Sequence, residues 1–136
     1  MYWRLSLRNK TGARAEHRAL HHLKANRLKL VDRNYACRSG ELDLIMLDGE
    51  TLVFIEVRSR NSLAFGGASA SITPKKQQKM RQTAAHFLQN HRKHQHRHCR
   101  FDAVLIFNPT GNVTSNAISS NDERLPKPIE WLQGIF

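Results

Sequence analysis

The chain has 136 residues, 40% of them hydrophobic and 24% charged, with 22 Lys and Arg against 11 Asp and Glu and a net charge of +11. That balance excludes a disordered polymer, leaves room for one domain with a real core, and favours polyanions such as nucleic acid or an anionic membrane surface. Cys37 and Cys99 lie far apart in no CxxC spacing, which argues against a disulfide framework or a zinc knuckle. No apolar run approaches the ~20 residues of a membrane span, and the charged start MYWRLSLRNK lacks the apolar segment of a signal peptide. A cytoplasmic protein that does not enter membranes is expected.

Residues 1–11 read as a basic, irregular arm. From Gly12 to Asn26 the pattern is helical, with Thr11 as N-cap and Ala15, Ala19, Leu20 and Leu23 on one face. Glu16 shares that inward face. A carboxylate there costs stability unless it is paired or metal-bound; the alternative is a first-turn acid favoured by the helix dipole. Leu28 to Tyr35 reads as a first strand, and Arg38-Ser39-Gly40 as the turn after it.

Gly40 to Arg60 (GELDLIMLDGETLVFIEVRSR) holds five of the eleven acids: Glu41, Asp43, Asp48, Glu50 and Glu56. Leu42–Leu47 and Thr51–Arg58 read as a hairpin turning at Asp48-Gly49. Both strands are apolar on both faces, as in the middle of an α/β layer structure. Asn61 to Ser71 is small and glycine-rich. Thr73-Pro74 then starts a helix with an N-cap and a proline at its first position. It runs to Asn90, with Met80, Ala84, Phe87 and Leu88 as its core stripe and Gln77 facing inward in the first turn. Arg100 to Phe107 is a further buried strand, ended by Asn108-Pro109 and placed parallel to an earlier one by the intervening helix. The tail is turn-rich to Pro128, and Ile129 to Phe136 docks through Trp131.

Pairing arithmetic places the carboxylates. A two-residue loop at Asp48-Gly49 sets Glu41 opposite Glu56; a four-residue loop sets Leu47 opposite Leu52 and Asp43 opposite Glu56. In either register Asp43 and Glu56 share a face, because strand side chains alternate with period two. Cross-strand neighbours have Cβ atoms roughly 4.5–8 Å apart, close enough to share one hard cation. Arg58 emerges on the Glu56 face. Oxygen ligands without nearby Cys or His favour Mg²⁺ or Mn²⁺; a purely structural network with Arg58 is the alternative. A metal there polarises a phosphodiester and activates water, while Arg58, which cannot act as a base, stabilises charge.

These residues resemble a known pattern. Asp43 followed by Glu56-Val57-Arg58 is similar to the PD-(D/E)xK core of restriction-endonuclease-like enzymes. The wider set comprises Gly12-x-x-x-Glu16, GELDLI at 40–45, FIEVRSR at 54–60, a Gly-Gly loop at 66–67, Lys76-Gln77 and RFD at 100–102. It resembles the bacterial YraN-like family of predicted endonucleases, relatives of archaeal Holliday junction resolvases. The resemblance covers about residues 10–107 and implies a single domain over 1–136, with the basic arm and the tail as appendages. The implied fold is an α/β restriction-endonuclease-like one, a central mixed sheet with a helix-strand-hairpin-helix-strand core. Glu16, Asp43, Glu56, Arg58 and Gln77 are the implied catalytic group, with Asp43, Glu56, the Val57 carbonyl and Glu16 around Mg²⁺ or Mn²⁺. Arg58 stands where the wider superfamily usually has lysine. Resolvase relatives work as dimers, so a homodimer is a further expectation, although no face is apolar enough to locate its interface.

Residues 1–40 carry ten Lys or Arg against Glu16 and Asp32, and residues 74–100 carry eight and no acid. Arg14, Arg18, Lys75, Lys76 and Lys79 are the candidate phosphate contacts. Nothing reads bases, so DNA recognised by structure (branched or flapped) or without preference is the expected partner. A nucleic-acid-binding protein that lacks turnover is the alternative. Tyr35 and Phe65 are more readily explained by packing than by base stacking. His91, His94, His96 and His98 read as a solvated basic connection rather than a metal site.

Overall fold

The computed structural model describes residues 10–60, 72–107 and 129–136, and only the backbone of Lys10 and Thr11. Residues 1–9 of the arm expected over 1–11, Phe65, the Gly-Gly loop and Asn108-Pro109 fall outside them, and the last two residues of that arm are already helical. Among the described residues the protein is a mixed α/β structure, an open five-stranded sheet with two α-helices. In chain order come α1 (Lys10–Ala25), β1 (Lys29–Cys37), β2 (Gly40–Asp48), β3 (Thr51–Arg60), α2 (Pro74–Asn90), β4 (Cys99–Phe107) and β5 (Ile129–Leu132). The strands lie in that order across the sheet. All neighbours are antiparallel except β3 and β4, which are parallel. No helix among the described residues is long and apolar enough to cross a membrane.

The helices cover opposite faces. Ala15, Ala19, Leu20 and Leu23 of α1 bury against Leu44, Met46, Val53, Ile55, Val104 and Ile106. Met80, Ala84 and Phe87 of α2 bury against Leu42, Ile45, Leu52, Phe54 and Ala103. This is why β2 and β3 are apolar on both sides. The helix begins at Lys10, so Thr11 lies inside the first turn instead of capping it. Its end is a Schellman turn: Leu28 N–H bonds the Leu23 carbonyl, Arg27 N–H bonds that of Lys24, and Arg27 takes the left-handed φ of +71° where glycine is usual. Leu23 and Leu28 bury together and fix the chain's entry into β1. On α2, Thr73 accepts the Lys76 amide at 3.1 Å with Pro74 in the first position, as expected.

The hairpin takes the register with Leu47 opposite Leu52, but its turn is one step later than expected. Asp48 and Thr51 also pair, leaving Gly49-Glu50 as a two-residue turn. Gly49, at φ +61°, meets the positive φ that primed hairpin turns need. Ile129–Leu132 forms a short strand on β4, where the sequence indicated docking alone.

Candidate functional site

The β2–β3 ladder runs from Asp48↔Thr51 to Leu44↔Ile55, and one further step in register sets Asp43 opposite Glu56. The route differs from simple alternation. Leu42 packs on the α2 face and Leu44 on the α1 face, although they are two residues apart, so β2 breaks step at Asp43. Across from it, between the Arg33↔Leu44 and Tyr35↔Leu42 pairs, Asn34 has a left-handed φ of +55°. The Asp43 carboxylate accepts the Val57 amide at 2.8 Å through Oδ2. It therefore stands in for a backbone acceptor where the two strands stop pairing.

Glu56 is 7% exposed, on the α2 face next after Leu52 and Phe54. Its Oε1 lies 3.3 Å from Arg58 Nε and 3.4 Å from Lys76 Nζ. Burial, and then repulsion from Asp43, push the Glu56 carboxyl above its ordinary range, and Lys76 and Arg58 only partly offset them. The Arg58 Nε is itself buried and makes no hydrogen bond, so its contact with Glu56 is Coulombic. Two carboxylates brought together against their own repulsion, in an oxygen-only donor set, fit a hard divalent cation. Asp43 and Glu56 would hold it.

Glu16 is buried at 6% on α1, outside the first helical turn, so the dipole alternative does not account for it. Among the described residues no three His, Cys, Asp or Glu side chains gather closely enough to hold a metal, so Glu16 is not brought into one cluster with Asp43 and Glu56. Gln77 is half-buried and donates to the Ile72 carbonyl at 3.3 Å, bracing the start of α2. Lys75 and Lys79 are exposed one turn apart on α2, while Arg14 and Arg18 belong to α1 on the opposite face of the sheet. The five candidate phosphate contacts thus divide between two faces. Gly40 seats the β1–β2 turn on α2 beside Lys79: at φ +151°, a Cβ there would come within 3.3 Å of Thr83 Oγ1 and 3.8 Å of Lys79 Cβ.

Two features escaped sequence reasoning. Lys76 stood out as a phosphate contact and as part of the Lys76-Gln77 pair, whereas it reaches Glu56. Asp102, fully buried, accepts four hydrogen bonds of 2.9 Å, two from Arg100 and one each from Trp131 Nε1 and Gly134 N–H. Arg100 also reaches Asp48 at 3.0 Å. The signal was the Arg-x-Asp spacing of RFD, which puts both side chains on one face of a strand. Asp48, expected in the hairpin turn, and Glu50 pair with Arg100 and Arg97. The histidine run is also more ordered than a solvated connection: His94 is buried at 4% and His91 stacks on Phe87 with centroids 3.9 Å apart. Tyr35 packs edge-on to Phe87 and bonds His86.

The family described as "Uncharacterised protein family UPF0102" matches residues 15–106. The chain belongs to the UPF0102 family. A UPF0102 protein of Nitrosomonas eutropha is 45% identical over 131 residues, 96% of each chain. One from Alcanivorax borkumensis is 49% identical over 132 residues, covering 97% of this chain and 95% of its own. Another, from Alkalilimnicola ehrlichii, is 54% identical over 96 residues, 71% of this chain and 76% of its own. The UPF0102 match contains α1 from Ala15 onward, both carboxylates, α2 and nearly all of β4, and so includes Glu16, Asp43, Glu56, Arg58, Lys76 and Gln77.

Proposed function

We propose that the chain is a Mg²⁺- or Mn²⁺-dependent endonuclease that hydrolyses phosphodiester bonds in DNA, with branched or flapped forms as the favoured substrates, on a restriction-endonuclease-like fold. The observation that carries this reading is the Asp43–Glu56 pair. A buried carboxylate whose ionisation is opposed by burial and by a second carboxylate is a poor structural device and a good cation ligand. The order helix, three antiparallel strands, helix, parallel strand supports the fold.

Asp43 and Glu56 would bind the ion with the Val57 carbonyl, and Glu16 would act through water. When bound, the ion polarises the phosphodiester and makes water a nucleophile at neutral pH. Arg58, permanently charged, holds Glu56 and places positive charge where the phosphate becomes more negative. Gln77 keeps the start of α2 in place. Lys75 and Lys79, on the Glu56 side of the sheet, supply phosphate contacts that give affinity without sequence preference. The reading implies a cytoplasmic enzyme, active as a homodimer when it cuts paired strands.

The test is Mn²⁺ titration and cleavage of branched, flapped and linear DNA by wild type and Asp43→Asn. Wild type should bind Mn²⁺ and cut, and the variant should lose at least about 100-fold in rate, as befits a lost metal ligand. Equal cleavage by both proteins would remove Asp43 from the site. A second reading, a nucleic-acid-binding protein without turnover, draws on the two cations already held against Glu56. It is favoured if wild type binds DNA but neither takes up Mn²⁺ nor cuts.

A further inference from the structure

We propose that Lys76 couples metal binding to nucleic-acid binding: its ammonium opposes a divalent ion at Glu56 when no phosphate is present, and turns to the phosphate when one arrives. This rests on the metal-dependent reading above.

The two cations on Glu56 are not equivalent. Arg58 stands two residues away on the same strand, and its Nε is buried beside the carboxylate. Its side chain is 28% exposed overall, yet the Nε that faces Glu56 is not. Lys76 comes from another element, the first turn of α2, and its side chain is 34% exposed. Its backbone is fixed by the Thr73 cap, while its head rides on a flexible four-carbon stem. One end of the residue is anchored and the other is free to choose a partner.

A Mg²⁺ or Mn²⁺ ion on Glu56 lies about 2 Å from a carboxylate oxygen. With Lys76 Nζ 3.4 Å from Oε1, ion and ammonium would be no more than roughly 5.5 Å apart when the ion takes that oxygen. Positive centres at that separation repel, and a partly buried site screens them poorly. Lys76 therefore weakens the ion's binding to the protein alone. A phosphate bound at the ion offers the ammonium a new anion within reach of its stem, and the repulsion becomes a shared attraction. By linkage, phosphate then raises affinity for the ion and the ion raises affinity for phosphate by the same factor. Arg58 stays behind as a positioning residue, holding Glu56 while Lys76 changes partner.

The experiment measures Mn²⁺ affinity of the full chain without DNA, by electron paramagnetic resonance, for wild type, Lys76→Gln and Lys76→Arg. DNA affinity at fixed Mn²⁺ and single-turnover cleavage are measured alongside, and circular dichroism checks folding. Lys76→Gln should bind Mn²⁺ three- to tenfold more tightly than wild type, yet bind DNA more weakly and cut at least 100-fold more slowly. Lys76→Arg, which keeps the charge, should keep the weaker Mn²⁺ affinity. A residue with a merely structural role would not tighten metal binding when removed. Unchanged or weaker Mn²⁺ binding by Lys76→Gln, with wild type binding and cutting normally, overturns this inference alone. Failure of wild type to bind Mn²⁺ overturns the metal-dependent reading and this inference with it.

Discussion

Asp43 takes the Val57 amide at 2.8 Å, one residue along from the Glu56 carboxylate that it destabilises. One side chain thus ends the pairing of two strands and sets the charge of the site between them. The arrangement is held against its own electrostatics, and the first consequence concerns stability. The folded Glu56 carboxyl is raised above its ordinary 4.5. The folded state thus keeps its proton to higher pH than the unfolded chain, and ionised Glu56 costs stability at neutral pH. Glu56→Gln should raise Tm by a few degrees at pH 7, roughly 3 °C per kcal/mol for a chain of this length. The difference should shrink as pH falls and vanish below about 4.5, where both states are protonated. Differential scanning calorimetry across that range checks it. A Glu56→Gln protein that melts lower at pH 7 would mark the contacts with Lys76 and Arg58 as an ordinary stabilising ion-pair network.

Asp102 behaves in the opposite sense. It is buried with its four donors in place, so Asp102→Ala leaves the Arg100 guanidinium with Asp48 alone, and the Trp131 indole N–H and the Gly134 amide without their acceptor. A loss of about 3 kcal/mol is expected, from a broken buried ion pair and orphaned donors. Urea denaturation should show the lower midpoint, and Trp131 fluorescence should report release of β5 before the rest of the sheet unfolds. An unchanged midpoint would show that β5 is held by its packing alone.

His94 is held below the ordinary imidazole range by burial and, after it, by Arg97, Lys93, His91 and His96. Its Nδ1 accepts from Arg97 Nε at 3.1 Å, which needs the neutral ring. As pH falls through about 6.5 the unfolded chain takes up a proton that the folded chain refuses. The stability that neutral His94 provides is complete above that pH and declines below it, until the folded ring also protonates. His94→Gln should flatten the fall in Tm between pH 7 and 5. A slope equal to that of wild type would assign the acid sensitivity to other groups.

The division of basic residues between two faces gives a salt-dependent test. Lys75→Gln with Lys79→Gln, on the Glu56 side of the sheet, should lower DNA affinity and reduce the slope of log affinity against log salt by about 2. Arg14→Gln with Arg18→Gln should leave that slope nearly unchanged. Fluorescence anisotropy at several ionic strengths measures both, and the reverse pattern would move the DNA to the α1 face.

Much of this structure was legible beforehand because local chemistry and tertiary context agree. Thr73-Pro74 starts α2, the helical stripes choose the buried faces, and Leu47 meets Leu52 in one of the two registers that pairing allowed. What was hidden depends on partners distant in sequence. Nothing local to KKQQ tells a solvent-facing lysine from one that bends back 20 positions to Glu56. The four-residue β5 carries too short a pattern to declare itself, and it is secured by Asp102 from another strand. Period-two reasoning brought Asp43 to Glu56 but missed the break in step, because a left-handed Asn34 on the neighbouring strand is a backbone choice that apolar spacing does not encode.

The single parallel pairing, β3 with β4, also bears on the order in which the chain assembles. Strands β1 to β3 form a meander closed by two-residue turns, with short sequence separations that condense quickly, whereas β4 must wait for the chain between to fold and dock. Asp43 and Glu56 belong to the early part, and Lys76 arrives with the late part. On this order the acids confront one another before α2 brings Lys76, and the growing hairpin passes through a moment when Arg58 alone relieves their repulsion. A divalent ion present during synthesis would ease that moment, making the proposed cofactor an aid to folding as well as to chemistry.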